Sequence, residues 1–292
     1  MTPTFALPPS FLGTALEPAA ARVCVAGVPF DLGTSNRAGA RAAPLAVRHA
    51  SRMLVDGDNP ATWRDPLAAG VADAGDFAIS LGDIPGSLAL IERQAAGFSH
   101  LAAIGGDHTV TLALLRALAR RTGPLGLVHV DAHVDTWPDT FGQALGHGSV
   151  FYRAIVEGLV DPKRMIQIGI RSPVARSVWD WTLAQGVRIV SAEEVHEAGP
   201  RAVADAILAT VGAGPAYLSF DIDALDPAHA PGTGTPEVGG LFTWQAMAIL
   251  KRLGGLEWAG MDVVEVAPAY DVAEITALAA ASVIWQYLSL LA

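Results

Sequence analysis

Nine residues, Leu127 to Asp135, read Leu-Val-His-Val-Asp-Ala-His-Val-Asp. The apolar, β-branched first half predicts a buried strand, and Asp131, His133 and Asp135 follow at every second position. Side chains two apart in an extended chain point the same way, so two carboxylates and an imidazole converge at a strand end. Without a counter-charge the carboxylates would repel and one would have to take up a proton. A divalent cation removes that conflict, and oxygen ligands with one or two imidazoles suit manganese, iron(II) or zinc better than calcium. A surface loop with scattered acids, or an Asp capping a helix, is the plainer alternative for this stretch alone.

Three further strand ends carry similar chemistry. Ala216 to Phe220 runs into Asp221-Ile222-Asp223, again two acids two apart, with Asp226-Pro227 as turn chemistry behind them. Leu101 to Ile104 is followed by Gly105-Gly106-Asp107-His108, where paired glycines allow a sharp turn. Trp258 to Val266 ends near Glu265. His147 lies between two glycines in the loop Thr136 to Gly148.

The elements that must position these groups alternate along the chain. Strands are predicted at Arg22 to Phe30, Val71 to Ala78, Leu101 to Ile104, Leu127 onward, Arg164 to Ile170, Val187 to Val190, Ala216 to Phe220 and Trp258 to Val266. Helices fall between them, at Leu45 to Met53, Ser87 to Ser99, Thr109 to Arg120, Ser149 to Glu157, Val174 to Gln185, Pro200 to Val211 and Thr243 to Leu253. Glu193, Glu194 and Glu197 read as a solvated face ahead of the Pro200 helix. This alternation predicts an α/β fold, a parallel sheet with helices on both faces, with ligands at the carboxyl ends of the strands. Residues 1–292 read as a single domain, with residues 1–20 as an irregular arm.

Composition narrows the function. With 51% hydrophobic and 16% charged residues the chain is globular rather than disordered. A net charge of −10 argues against nucleic acid or an anionic membrane and favours a small cationic partner. The single Cys24, in an apolar run, fits a reducing cytosol, and no secretory signal is visible at Met1. The uncharged stretch from Ile275 to Ala292 is interrupted by polar residues and reads as a terminal helix packed on the sheet or at a subunit contact, not a membrane span. Trp137, Trp179, Trp181, Trp244, Trp258 and Trp285 read as apolar packing mass.

Two imidazoles and four carboxylates are more than one divalent ion needs. Two ions about 3.5–4 Å apart can share ligands and lower the pKa of a trapped water, which is hydrolytic chemistry. No Ser or Cys nucleophile with a paired His is evident, and Pro231 to Pro236 lacks the spacing of a phosphate cradle. His129 shares the parity of Asp131 but lies deeper, so it reads as a histidine supporting a ligand, and Asp107 as a group orienting His108. The loop arginines Arg37 and Arg41 read as pins that hold their loop in place.

Gly105-Gly106-Asp107-His108, Asp131-Ala132-His133-Val134-Asp135 and Ser219-Phe220-Asp221-Ile222-Asp223-Ala224-Leu225-Asp226-Pro227 together resemble the three signature motifs of the ureohydrolases, the arginase and agmatinase family. The resemblance extends through Gly27 to Asp31, Ala230 to Pro236 and Asp262 to Pro268, nearly the whole chain in order. It implies an arginase-like three-layer α/β/α fold with a mainly parallel sheet, two Mn2+ ions and hydrolysis of a guanidino group to urea and an amine. By the same resemblance His108, Asp131, Asp135 and Asp221 hold one ion or the bridge, and His133, Asp131, Asp221 and Asp223 hold the other. His147 resembles the proton-shuttling histidine, and Glu265 the carboxylate that grips the guanidinium. Pro231-Gly232-Thr233-Gly234-Thr235-Pro236-Glu237 is more like agmatinases and guanidino-acid hydrolases than arginases, whereas Ala43 and Thr109 depart from the usual Gly and Ser. The resemblance thus implies agmatine as substrate, with putrescine as the amine product, in a cytoplasmic homo-oligomer, a trimer or hexamer. Guanidinobutyrate or guanidinopropionate is the rival substrate, whose carboxylate would need Arg37, Arg41 or Arg171. More distant alternatives are a metal-dependent deacetylase with a single zinc, or a non-catalytic binding subunit, which would be expected to have lost a ligand.

Overall fold

The computed structural model describes residues 3–292. The alternating pattern folds as β1 (Val23–Gly27), α1 (Ala43–Ser51), β2 (Val71–Asp76), α2 (Ile84–Ala95), β3 (Leu101–Ile104), α3 (Val110–Thr122), β4 (Leu125–Val130), α4 (Val150–Val156), β5 (Val160–Ile170), α5 (Arg176–Gln185), β6 (Arg188–Ser191), α6 (Ala192–Val211), β7 (Pro215–Asp221), α7 (Thr243–Leu250), β8 (Glu257–Val264) and α8 (Ile275–Leu291). The eight strands form one sheet in the order β2-β1-β3-β8-β7-β4-β5-β6, and every neighbouring pair is parallel.

Strand periodicity sorts the core into two layers. Val128 and Val130 of β4, Leu218 and Phe220 of β7, and Met261 and Val263 of β8 face α1, α6, α7 and α8. Their alternates Leu125, Leu127, Tyr217 and Val264 face α2, α3 and α4. A sheet buried on both faces needs apolar side chains at nearly every position, which is why the strands read as β-branched runs rather than strict alternation. The result is the three-layer α/β/α arrangement.

Three sequence expectations change. Helix α6 begins at Ala192 rather than Pro200, because Ser191 and Glu194 form a reciprocal capping box at its start. The break comes at Gly199 (φ 77°), where the residue before Pro200 is kept out of the helical region. The tryptophans are not uniformly packing mass: Trp258 is buried, Trp244 is 59% exposed and Trp137 faces a cavity. The N-terminal arm is partly anchored. Phe11 and Leu12 are buried, and the Phe11 amide donates to Asp73 Oδ2 at 2.7 Å. α8 packs into the core through Ala280, Ile284 and Tyr287, and among the described residues no helix is long and apolar enough to cross a membrane.

Gly106 shows how tightly one strand end is held. A Cβ built there would lie 1.6 Å from the carbonyl oxygen of Phe30, and the Asp107 amide donates to that same carbonyl at 2.8 Å. The backbones must touch for the chain to turn and present His108. Gly106→Ala is therefore predicted to cost about 3 kcal/mol or more, by analogy with severe overpacking. A thermal midpoint equal to wild type would contradict this reading of the turn.

Candidate metal centre and its cavity

Four sheet neighbours, β3, β8, β7 and β4, end at one place. His108 follows β3, Asp131, His133 and Asp135 follow β4, Asp221 and Asp223 close β7, and Glu265 follows β8. Residues separated by more than a hundred positions thus meet because their strands are adjacent and point the same way. All six sequence-predicted ligands lie together.

His108, fully buried, sets the geometry of the first group. Its Nδ1 lies 3.2 Å from Asp131 Oδ2, 3.0 Å from Asp135 Oδ2 and 3.2 Å from Asp221 Oδ2, yet makes no hydrogen bond to any of them. The other ring nitrogen explains why. Ser219 Oγ donates to Asp262 Oδ1 at 2.7 Å, so it must accept the hydrogen bond from His108 Nε2 at 2.9 Å. With the proton on Nε2, Nδ1 presents a lone pair to three carboxylate oxygens. Burial opposes charge on the ring, but the three carboxylates raise its pKa well above the usual range, so without a cation in the gap a second proton would be drawn to Nδ1. A proton on Nδ1 would have no in-line acceptor; a cation suits the gap. Spacings near 3 Å are those of ligands set at right angles around an ion with bonds of about 2.1 Å.

The second group lies on the other side of Asp131. His133 Nδ1 is 3.3 Å from Asp131 Oδ1 and 3.1 Å from Asp223 Oδ2. Asp131 therefore offers Oδ2 to one group and Oδ1 to the other. The donors in each of the sets His108, His129, Asp131, Asp135 and Asp131, His133, Asp223 lie within 4.8 Å of one another. Burial and the neighbouring Asp223 and Asp131 push the Asp221 carboxyl well above its ordinary pKa, as expected where negative charge lacks compensation. The donor set fits two divalent ions sharing a carboxylate.

Beside this floor, Glu265 accepts the His108 amide at 2.8 Å and pairs through the same oxygen with His147 Nδ1 at 2.9 Å. Its Oε2 makes no hydrogen bond among the described residues. Burial disfavours the His147 cation, but Glu265 and then Asp135 and Asp107 raise it to about 9. Asp107 accepts Gly33 N at 2.7 Å and Thr109 N at 2.9 Å, so it shapes the turn beside His108.

A cavity of about 480 Å³ opens over the floor, large enough for a small linear molecule. His133, Asp135 and Asp221 form its base, with His147, Ser35 and Thr235 beside them, and Trp137, Asp139, Thr140 and Phe141 form one wall. Among the described residues, no Arg or Lys lines it. Arg171 is occupied instead, donating to the carbonyls of Gly169, Asp223, Ala224, Glu237 and Val238. Arg41 bonds Asp31, and Arg37 lies over the Tyr270 ring at 5.1 Å.

Several participants escaped the sequence reading. Ser35, whose Oγ is 2.7 Å from His147 Nε2, sits in a turn with no motif of its own. Thr235 donates to Asp223 Oδ2 at 3.1 Å. Asp262, fully buried, accepts hydroxyls from Thr111, Tyr217 and Ser219. Gln167 stood out only as a polar residue in the apolar run Met165 to Ile168.

Because Asp131 serves both groups, Asp131→Ala should lose both ions and Asp223→Ala chiefly one, read as metal per subunit after desalting. Asp221→Asn keeps an acceptor for the Asp223 amide but removes a charge the site disfavours. It should raise the melting temperature of chelator-stripped protein yet abolish any stabilisation by added manganese, which for wild type should reach about 2.7 kcal/mol at a hundredfold excess over Kd. An Asn variant stabilised by manganese as wild type is would refute the ligand assignment.

Comparison with known proteins agrees with this geometry. The Arginase family model matches residues 21–289. A guanidinopropionase of Pseudomonas aeruginosa is 46% identical over 99% of this chain and 92% of its own. An agmatinase of Chromobacterium violaceum is 44% identical over 92% of this chain and 83% of its own. The crystal structure of a hypothetical agmatinase from Burkholderia thailandensis superimposes with a TM-score of 0.92, at 44% identity, over 99% of this chain and 92% of that one. Likeness of this extent, over nearly the whole chain, settles the kinship: the chain belongs to the arginase family.

Proposed function

We propose that the protein is a binuclear manganese amidinohydrolase that converts agmatine to putrescine and urea. The observation that carries this reading is the cavity's charge: a floor of paired carboxylate and imidazole groups, an acidic wall residue in Asp139, and, among the described residues, no Arg or Lys in the lining. A guanidinium with an ammonium tail meets complementary charge at both ends. A guanidino acid would bring a carboxylate to a cavity that no described Arg or Lys lines: Arg171 is held by backbone carbonyls, Arg41 by Asp31, and Arg37 lies over the Tyr270 ring. The relatives named guanidinopropionase and guanidinobutyrase make such an acid the second reading.

When bound to His108, Asp131, His133, Asp135, Asp221 and Asp223, a pair of divalent ions supplies the Lewis acidity that makes water nucleophilic near neutral pH. The mixed oxygen and imidazole donor set supports manganese. The free Oε2 of Glu265 can accept guanidinium N–H groups and fix the planar group over the floor, which lowers the entropic part of the barrier. Water adds to the guanidinium carbon, the bond to the alkyl nitrogen breaks, and that nitrogen must gain a proton. His147 reaches the cavity with Nδ1 on Glu265 and Nε2 facing Ser35, so Glu265 both orients the ring and stabilises its charged form for the transfer. We also infer a cytoplasmic homo-oligomer, a trimer or hexamer; Leu81, Phe141 and Val238, each more than 80% exposed, leave apolar surface to cover, and light scattering would give the mass.

Urea release by manganese-loaded protein should favour agmatine over 4-guanidinobutyrate and 3-guanidinopropionate by at least about a hundredfold in kcat/KM, the discrimination expected when a buried charge meets no partner. Preference for either acid would reverse the substrate assignment. His147→Ala should lower kcat by about 10²–10⁴ with little change in KM, as for loss of a general acid. An equal loss in KM alone would instead make His147 a binding group.

A further inference from the structure

We infer that His129 and Gln167 form a positioning pair that aims Asp131 at the metal centre, and that His129 is not itself a ligand. The inference rests on the metal reading above and adds residues to it. His129, Asp131 and Gln167 are all fully buried. His129 on β4 and Gln167 on β5 are register partners in the sheet, so their side chains emerge side by side on the same face. Gln167 Nε2 donates to the Val134 carbonyl at 2.6 Å and to His129 Nδ1 at 3.0 Å.

That amide has one workable orientation. Reversed, it would set Oε1 against the Val134 carbonyl. As placed, Oε1 has no partner at all, an unmet acceptor that the fold tolerates in order to keep both N–H bonds. Nδ1 of His129 is therefore an acceptor, and the ring's proton sits on Nε2, 2.7 Å from Asp131 Oδ2. A ring nitrogen whose proton is donated to a carboxylate has no lone pair for a metal, although His129 lies among the clustered donors.

The consequence falls on Asp131. Its Oδ2 takes one hydrogen bond from His129 and its Oδ1 takes one from the His133 amide at 2.6 Å. Each oxygen keeps a lone pair, Oδ2 toward the His108 group and Oδ1 toward the His133 group. The carboxylate plane is fixed from both sides before any ion arrives. Phe151, with its centroid 4.2 Å from that of His129, closes the space on which the imidazole could swing.

The test is manganese binding to chelator-stripped protein, by calorimetric titration, with circular dichroism to verify folding. His129→Phe should weaken manganese binding by about 10–100-fold, the usual effect of losing a group that orients a ligand. His129→Gln, whose amide can present an N–H at similar reach, should recover most of that loss. Gln167→Leu, which keeps the volume and removes the donor, should fall between the two and carries the test if His129→Phe does not fold. Binding by His129→Phe or Gln167→Leu equal to wild type, or His129→Gln as weak as His129→Phe, would overturn the inference. Wild-type protein that takes up no manganese would instead defeat the metal reading itself.

Discussion

Uncompensated negative charge governs this site. Asp131, Asp135, Asp221 and Asp223 are buried together, and among the described residues no Lys or Arg forms a salt bridge with their carboxylates. At a 4.8 Å separation and an effective dielectric of about 20, a pair of carboxylates repels by about 3 kcal/mol. Backbone amides soften this without cancelling it. Asp131 accepts the amide of His133 at 2.6 Å and Asp221 accepts that of Asp223 at 2.9 Å, so both strand ends turn the same way and use the same two-residue bond. An arrangement that concentrates charge, supplies partial rather than full counter-charge and turns His108 Nδ1 toward three carboxylates is one that a divalent cation fits.

Holding such charge requires a frame that does not relax away from it. Parallel strands supply that frame because their carboxyl ends share one edge and their flanks are buried by helices on both faces. The local backbone shows the tension. Asp135 (φ 48°) and Glu265 (φ 63°) are non-glycine residues in left-handed conformation, each at the point where a strand gives way to the site. Such conformations persist when the surroundings over-determine them. Here the surroundings include the Phe30 carbonyl against Gly106 and the three hydroxyls gathered by Asp262 beneath His108.

Much of this was legible because it is local. The apolar runs located all eight strands, and the two-residue spacing of the acids put Asp131, Asp135, Asp221 and Asp223 where their side chains meet. His129 was read as a support for the same reason: parity put it one step deeper. What could not be read needed register. Gln167 is a lone polar residue in an apolar strand, and only the pairing of β4 with β5 shows that it faces His129. Ser35 and Thr235 belong to loops whose paths are set by distant contacts, Ser35 by the His147 ring and Thr235 by Asp223. The α6 boundary was different, since Ser191 and Glu194 stated a capping box and the proline downstream drew attention away from it.

The floor and the wall of the cavity answer to different constraints. The floor is built from strand ends, where one displaced residue would disturb the sheet, so it varies little without loss of fold. The wall from Trp137 to Phe141 is loop, with Phe141 94% exposed, and its side chains bear little of the fold's stability. In this chain the wall offers Asp139 and the aromatic side chains of Trp137 and Phe141, while Arg171 spends its donors on the carbonyls of Asp223, Ala224 and Glu237, which hold the loop after β7 in place. A guanidinium so fully engaged could turn toward a substrate only by releasing the loop that carries Asp223, which ties the wall's lack of positive charge to the integrity of the floor.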